Sequence, residues 1–285
     1  MIVDAQRHRG GAQAAPVGPP ERLRSIGPFA MVAHILPVQL APGELPVDMD
    51  VRGHPHIGLA AVTYVLDGAI THRDNLGIRR EIVPGAVGYT VAGRGVVHSE
   101  RFERLRLLGG HFEMFQILLA LPDGLEDVEP SFAYHEVPES VVGPGVVVRA
   151  LHPALAFPAP LLLEDVRIEP GASHVVPDVG RERAVYVLAG DVEVGGERAH
   201  AQQTVLLGPA AATITASSAA RVLAFGGEPA GPRYQWWNYL HSSLDRIEEA
   251  KAAWRAGAVP LPPGDTESFT PAPPDDGRPL VRLNA

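Results

Sequence analysis

Cysteine is absent from this 285-residue chain, which excludes disulfides, thiolate-held metals, iron–sulfur clusters and cysteine nucleophiles. Any metal it holds must be bound through nitrogen and oxygen. Basic charge is scarce as well: 24 Lys and Arg face 33 Asp and Glu, a formal net charge of −9, and Lys251 is the sole lysine. With no basic stripe to neutralise phosphates, direct nucleic-acid binding is not expected. No stretch approaches the run of about 18 apolar residues that a membrane helix needs, and MIVDAQRHRGGAQAAPVGPP lacks a basic region followed by an apolar one. Neither membrane insertion nor a secretory leader is expected, and the cytoplasm is the expected location.

What is abundant is punctuation. Thirty Gly and 28 Pro cut the chain into short segments, which favours β architecture over a helical bundle. IGLAAVTYVLDG, AITHRDNLG, IRREIVPGAVGYTVAGRG, VVHSERF and HFEMFQILLAL are short and rich in β-branched residues, and they are separated by Gly, Asn or Asp at strand-like intervals. Closed or sandwiched antiparallel sheet fits this rhythm. The rhythm returns after a Pro/Gly-rich bridge: TYVLDGAITHRDNLG before EIVPGAVGYT is matched by VYVLAGDVEVGG before TVLLGPAAATIT. An internal duplication follows, with domains at 1–133 and 134–257. In SSLDRIEEAKAAWRAG, Ser242 or Ser243 can cap a helix over 242–256 that Gly257 stops, with Leu244, Ile247, Lys251 and Trp254 on one face. Residues 258–285 read as an extended Pro-rich tail.

The chemistry-bearing residues come in two pairs. In GHPHIG, His54 and His56 stand two apart, and on a strand this points both rings to one face with Cα atoms about 6.5–7 Å apart. Alone the pair is weak, since 12 histidines supply about half such a pair by chance in a chain of this length. In PGAVGYTVAGRGVVHSE, His98 and Glu100 repeat the same spacing. Two such pairs on neighbouring strands would bring three imidazoles and a carboxylate together, a donor set suited to a divalent first-row metal. Iron(II) heads the candidates, followed by manganese, nickel, copper and zinc. His72, Arg73 and Asp74 read as a solvent-facing turn, His111 as a strand start, and Arg94 and Arg101 as surface ion pairs. His174 is expected to be hydrogen-bonded or exposed, and the second half to lack a metal site.

GHPHIGLAAVTYVLDGAITHRDNLG followed by VPGAVGYTVAGRGVVHSER resembles the signature stretch of the pirin family, most closely over residues 27–115. The resemblance implies an all-β fold of two cupin barrels (double-stranded β-helix, jelly-roll) with a C-terminal α-helix. It places the family's metal ligands on His54, His56, His98 and Glu100. It also implies, for some members, dioxygenase activity of the quercetin 2,3-dioxygenase type on flavonols or other enol-bearing aromatics, with O2 as co-substrate. Glu100 would then remain a ligand or detach to serve as the catalytic proton acceptor. The alternative it implies is a metal- or redox-sensing regulator that binds a transcription factor or metabolic enzyme. Two positions depart from the family pattern: Ala33 precedes His34 where pirins usually carry Asp-His, and Gly88 or Tyr89 stands where Trp is common, changing the volume and polarity expected near the metal.

Overall fold

Alternating inward and outward residues define the strands of the computed structural model, which describes residues 2–4, 14–16, 25–208, 210–265, 269–274 and 281–283. The chain forms two compact units, one built mainly on Glu136–Pro229 and the other on His34–His135 together with Ala230–Ala285. This differs from the expected boundaries. The C-terminal helix, placed above in the second domain, and the tail, read above as a separate extended segment, belong to the unit that contains the first barrel.

In the unit built on Glu136–Pro229, seven strands pair in the order Ile2–Asp4, Gln203–Leu207, Glu182–Ala189, Ala220–Gly227, Leu161–Ile168, Val146–Ala150, Ser140–Gly143. A second, four-stranded sheet runs Ser173–Val176, Ala212–Ala216, Asp191–Val194, Glu197–His200. The core is made from every second residue, as the two-residue period of a strand requires: Leu162, Val166 and Ile168; Val185 and Val187; Val222 and Ala224. Full burial of each Val or Leu side chain contributes about 1.5–3 kcal/mol.

The other unit repeats the arrangement. One sheet runs Ser131–Glu136, Ala86–Val91, Leu59–Asp67, Gly110–Ala120 and then the Phe29–Leu40 strand. The facing sheet runs Val51–His56, Val96–Arg101, Ile70–Asp74, Arg79–Ile82. Val65, Ile70, Ile82, Phe112 and Met114 fill one part of the space inside. The helix, Leu244–Arg255, is capped by Ser243, whose side chain accepts from the Arg246 amide, and Gly257 follows it at φ 64°. It buries Ile247, Lys251 and Trp254, while Leu244, expected on the same face, is exposed.

The Pro-rich tail also carries regular structure, contrary to the expectation of an extended segment. Val281–Leu283 pairs with Arg233–Trp236, and Phe269 bridges to Gly53. Among the described residues no helix is long and apolar enough to cross a membrane.

Candidate metal centre

Strand parity decides what faces the inside of the first barrel. Val51–His56 and Val96–Arg101 are antiparallel neighbours with His54 opposite His98, and a register irregularity between Val51 and His54 adjusts the pairing. His54 and His56 share one face, as do His98 and Glu100, and all four side chains are buried. The ring nitrogens converge: His98 Nε2 lies 2.9 Å from His54 Nε2 and 3.0 Å from His56 Nε2. Three potential ligand atoms thus fall within 4.8 Å of one another. Glu100 stands beside this group, its Oε1 3.8 Å from His98 Nε2.

Hydrogen bonding does not account for that convergence. An imidazole nitrogen offers a single in-plane position, either a hydrogen or a lone pair, so His98 Nε2 cannot satisfy both neighbours. His54 donates Nδ1–H to the Arg52 carbonyl at 2.9 Å, which leaves its Nε2 with a lone pair aimed at the cluster.

Protonation would be costly too. Burial lowers the His54 pKa to about 4; the Arg52 carbonyl opposes the shift and His72 adds to it. Burial and the other imidazoles hold His56 and His98 well below the usual histidine range. Burial pushes Glu100 up to about 7 against the pull of Arg101. Three neutral nitrogens focused on one point beside a carboxylate fit a divalent cation, because a shared positive charge is what turns their mutual lone-pair repulsion into attraction.

The outer face of the ligand-bearing strands is held by the tail. Ser99 and Arg101, which alternate with His98 and Glu100, both donate to the Asp265 carboxylate, Arg101 using two of its nitrogens. The Thr270 amide donates to the Gly53 carbonyl at 2.8 Å, and Trp254 Nε1 donates to Thr270 O at 3.2 Å. Arg101 also faces Asp50 at 3.5 Å. The expected surface ion pair of Arg101 is therefore a buried network, whereas Arg94 does pair at the surface, with Glu129 at 2.7 Å.

Comparison with known proteins meets this geometry. Residues 9–119 match the sequence profile of the Pirin family and residues 163–260 that of the Pirin C-terminal cupin domain. The chain belongs to the pirin family. A pirin-like protein of Caulobacter vibrioides is 40% identical over 285 aligned positions, covering 96% of this chain and 99% of that one. A crystal structure of quercetin 2,3-dioxygenase from Acinetobacter baumannii superposes with a TM-score of 0.83 at 26% identity, covering 96% of each chain. A second structure under the same name and source gives 0.83 at 24%, covering 92% of this chain and 97% of that one. The all-β double-cupin architecture implied by the signature stretch is the architecture observed.

In this pirin several residues lie elsewhere than expected. His72 and Asp74 are not in a solvent-facing turn: they end the Ile70–Asp74 strand, are 1% and 0% exposed, and bond to each other through His72 Nε2 and Asp74 Oδ2 at 2.9 Å. His72 stands opposite Glu100 and Asp74 opposite His98, which places both on the barrel's inner face. The parity of Ile70, His72 and Asp74 carried this signal, and the turn chemistry of Asp74-Asn75-Leu76-Gly77 masked it.

His34 is buried, donates its Nε2–H to Glu113 Oε1 at 2.8 Å and stacks on Phe115. His111 is exposed at the start of its strand. His174 is neither exposed nor well bonded; it lies 3.4 Å from Glu164 without hydrogen-bond geometry. At Gly88 no room is vacated: an added Cβ would lie 2.3 Å from Ile82 Cδ1 and 3.5 Å from Phe132. Among the described residues the His54, His56 and His98 group is the one cluster of three or more metal-binding side chains.

Proposed function

We propose that this pirin is a metal-dependent dioxygenase that opens quercetin-like flavonols or another enol-bearing aromatic, with Glu100 as fourth ligand and proton acceptor. The observation that carries the reading is the meeting of three neutral imidazole nitrogens within 3.0 Å contacts beside a buried carboxylate. The name of the Acinetobacter structure, similar over nearly its whole length, points to the same chemistry. Iron(II) is the proposed ion, with manganese, nickel, copper or zinc as alternatives.

A bound ion supplies Lewis-acid stabilisation of a deprotonated enolic substrate and an electron route to dioxygen. The remaining work falls to the chain. His54, His56 and His98 would hold the ion, and the Arg52 carbonyl fixes the ring of His54. The barrel walls exclude bulk water, which strengthens every charge interaction inside. Glu100, buried beside His98, takes the enol proton on a carboxylate oxygen.

The test is oxygen consumption with quercetin on iron-loaded protein. The reading expects quercetin-dependent uptake that falls at least 100-fold in His98→Ala, and that falls in Glu100→Gln while metal content stays above half of wild type. Uptake equal in wild type and both variants, or no uptake with any of the five metals, would contradict it.

A further inference from the structure

Beside the metal cluster stands a second pair of buried polar side chains that the proposed reaction does not use, His72 and Asp74. The carboxylate is held on all sides: Oδ1 accepts from the Leu76 and Ile78 amides, each at 3.0 Å, and Oδ2 faces His72 Nε2. A carboxylate can only accept, so Nε2 carries a hydrogen, and in the neutral ring Nδ1 then carries a lone pair. No described residue bonds to Nδ1. The ring cannot turn away, because it stacks on Phe132 at 4.3 Å and 16° and meets the edge of His98 at 5.2 Å. Phe132 reaches this position over Gly88, where a side chain would collide with its neighbours. The result is an imidazole of fixed orientation and fixed tautomer on the inner barrel face, directly across the strand ladder from Glu100.

We propose that His72 is a substrate-positioning hydrogen-bond acceptor, its tautomer set by Asp74, that receives a hydroxyl of the aromatic substrate lodged beside the metal. The inference rests on the flavonol-type reading for the identity of the substrate and on the geometry above for the residue. A polyhydroxylated aromatic presents hydroxyl donors at its rim, and a site built to accept one rejects analogues that lack it. The role is positional: His72 holds the substrate in register with the metal ligands.

Asp74→Asn is the discriminating variant. Asn Oδ1 can keep both backbone amide bonds, which forces its NH2 group toward His72 Nε2. That nitrogen must then accept, and the hydrogen moves to Nδ1. Shape is conserved while the acceptor becomes a donor, so a merely structural pair would leave ligand binding unchanged.

The experiment has two arms. Histidine 15N NMR of zinc-loaded protein should show the Nε2–H tautomer of His72 in wild type and the Nδ1–H tautomer in Asp74→Asn. A wild-type Nδ1–H tautomer overturns the proposal whatever the substrate. In the second arm, quercetin affinity of the iron-loaded protein under argon should fall tenfold or more in Asp74→Asn, with metal content unchanged. The double variant with His72→Ala should bind no more weakly than His72→Ala alone, since Asp74 acts through the ring. Equal affinities in wild type and Asp74→Asn overturn the proposal. If wild type binds no quercetin, the flavonol reading fails, and the same comparison made with catechol decides the role of His72. Binding of neither compound overturns both.

Discussion

His98 is the most constrained of the three imidazoles, since its Nε2 touches both others, and burial together with the neighbouring imidazoles disfavours its protonated form. The sign of the pH response follows from this. In the unfolded chain these histidines titrate near 6.5, in the fold well below, so the unfolded state binds more protons as pH falls. The stability of the metal-free protein is therefore fully present above about pH 6.5 and is lost toward pH 4. For His54 alone the loss is on the order of 3 kcal/mol. Glu100 works in the opposite sense, because its pKa is raised to about 7 from 4.5 and its contribution is lost as pH rises between those values. Three groups outweigh one, so urea midpoints of metal-free protein should fall between pH 6.5 and 4.5, and the fall should shrink in His98→Ala. A midpoint flat over that range, or rising as pH falls, would show that the imidazoles are not buried neutral.

At the scale of elements, the ligand strands are braced from outside by a segment more than 160 residues away in sequence, as the Arg101–Asp265 separation shows. Asp265→Ala would strip the buried Arg101 of its bidentate partner and leave it only the 3.5 Å approach of Asp50. Removing one member of such a pair costs about 3 kcal/mol, and loss of an outer support weakens metal binding about 10-fold or more. Thermal unfolding and metal titration of the variant check both; unchanged values would reduce the tail to a passive cover.

This element also marks where the sequence stopped being legible. The strands, the repeated rhythm and the helix with Ser243 and Gly257 at its ends rest on local pattern. So does the shared face of His54 and His56. The clasp of Asp265 on Ser99 and Arg101 depends on where the chain returns, and nothing within a few residues of Asp265 announces it. His72 was hidden differently: Asp74 both ends the strand and caps the turn through Leu76 and Ile78, and the turn signal is the louder one.

For the whole molecule, the duplication shared its architecture but not its chemistry. In the Glu136–Pro229 unit His174 pairs across the ladder with Ile214, where the first barrel sets His54 opposite His98. Metal uptake should accordingly be one ion per chain. At 100 times the dissociation constant a single site adds about 2.7 kcal/mol to stability, which in a chain of this size is a rise in Tm of about 4–5 °C. That shift should be absent in His98→Ala and intact in His174→Ala.

The most direct measurement of the central claim is anaerobic titration of metal-free protein with iron(II), followed by calorimetry, on wild type and on His54→Ala, His56→Ala and His98→Ala. The account predicts one tight site per chain in wild type and at least a 100-fold weaker site in each variant. A wild-type protein that takes up no ion, or variants that bind as wild type does, would contradict it.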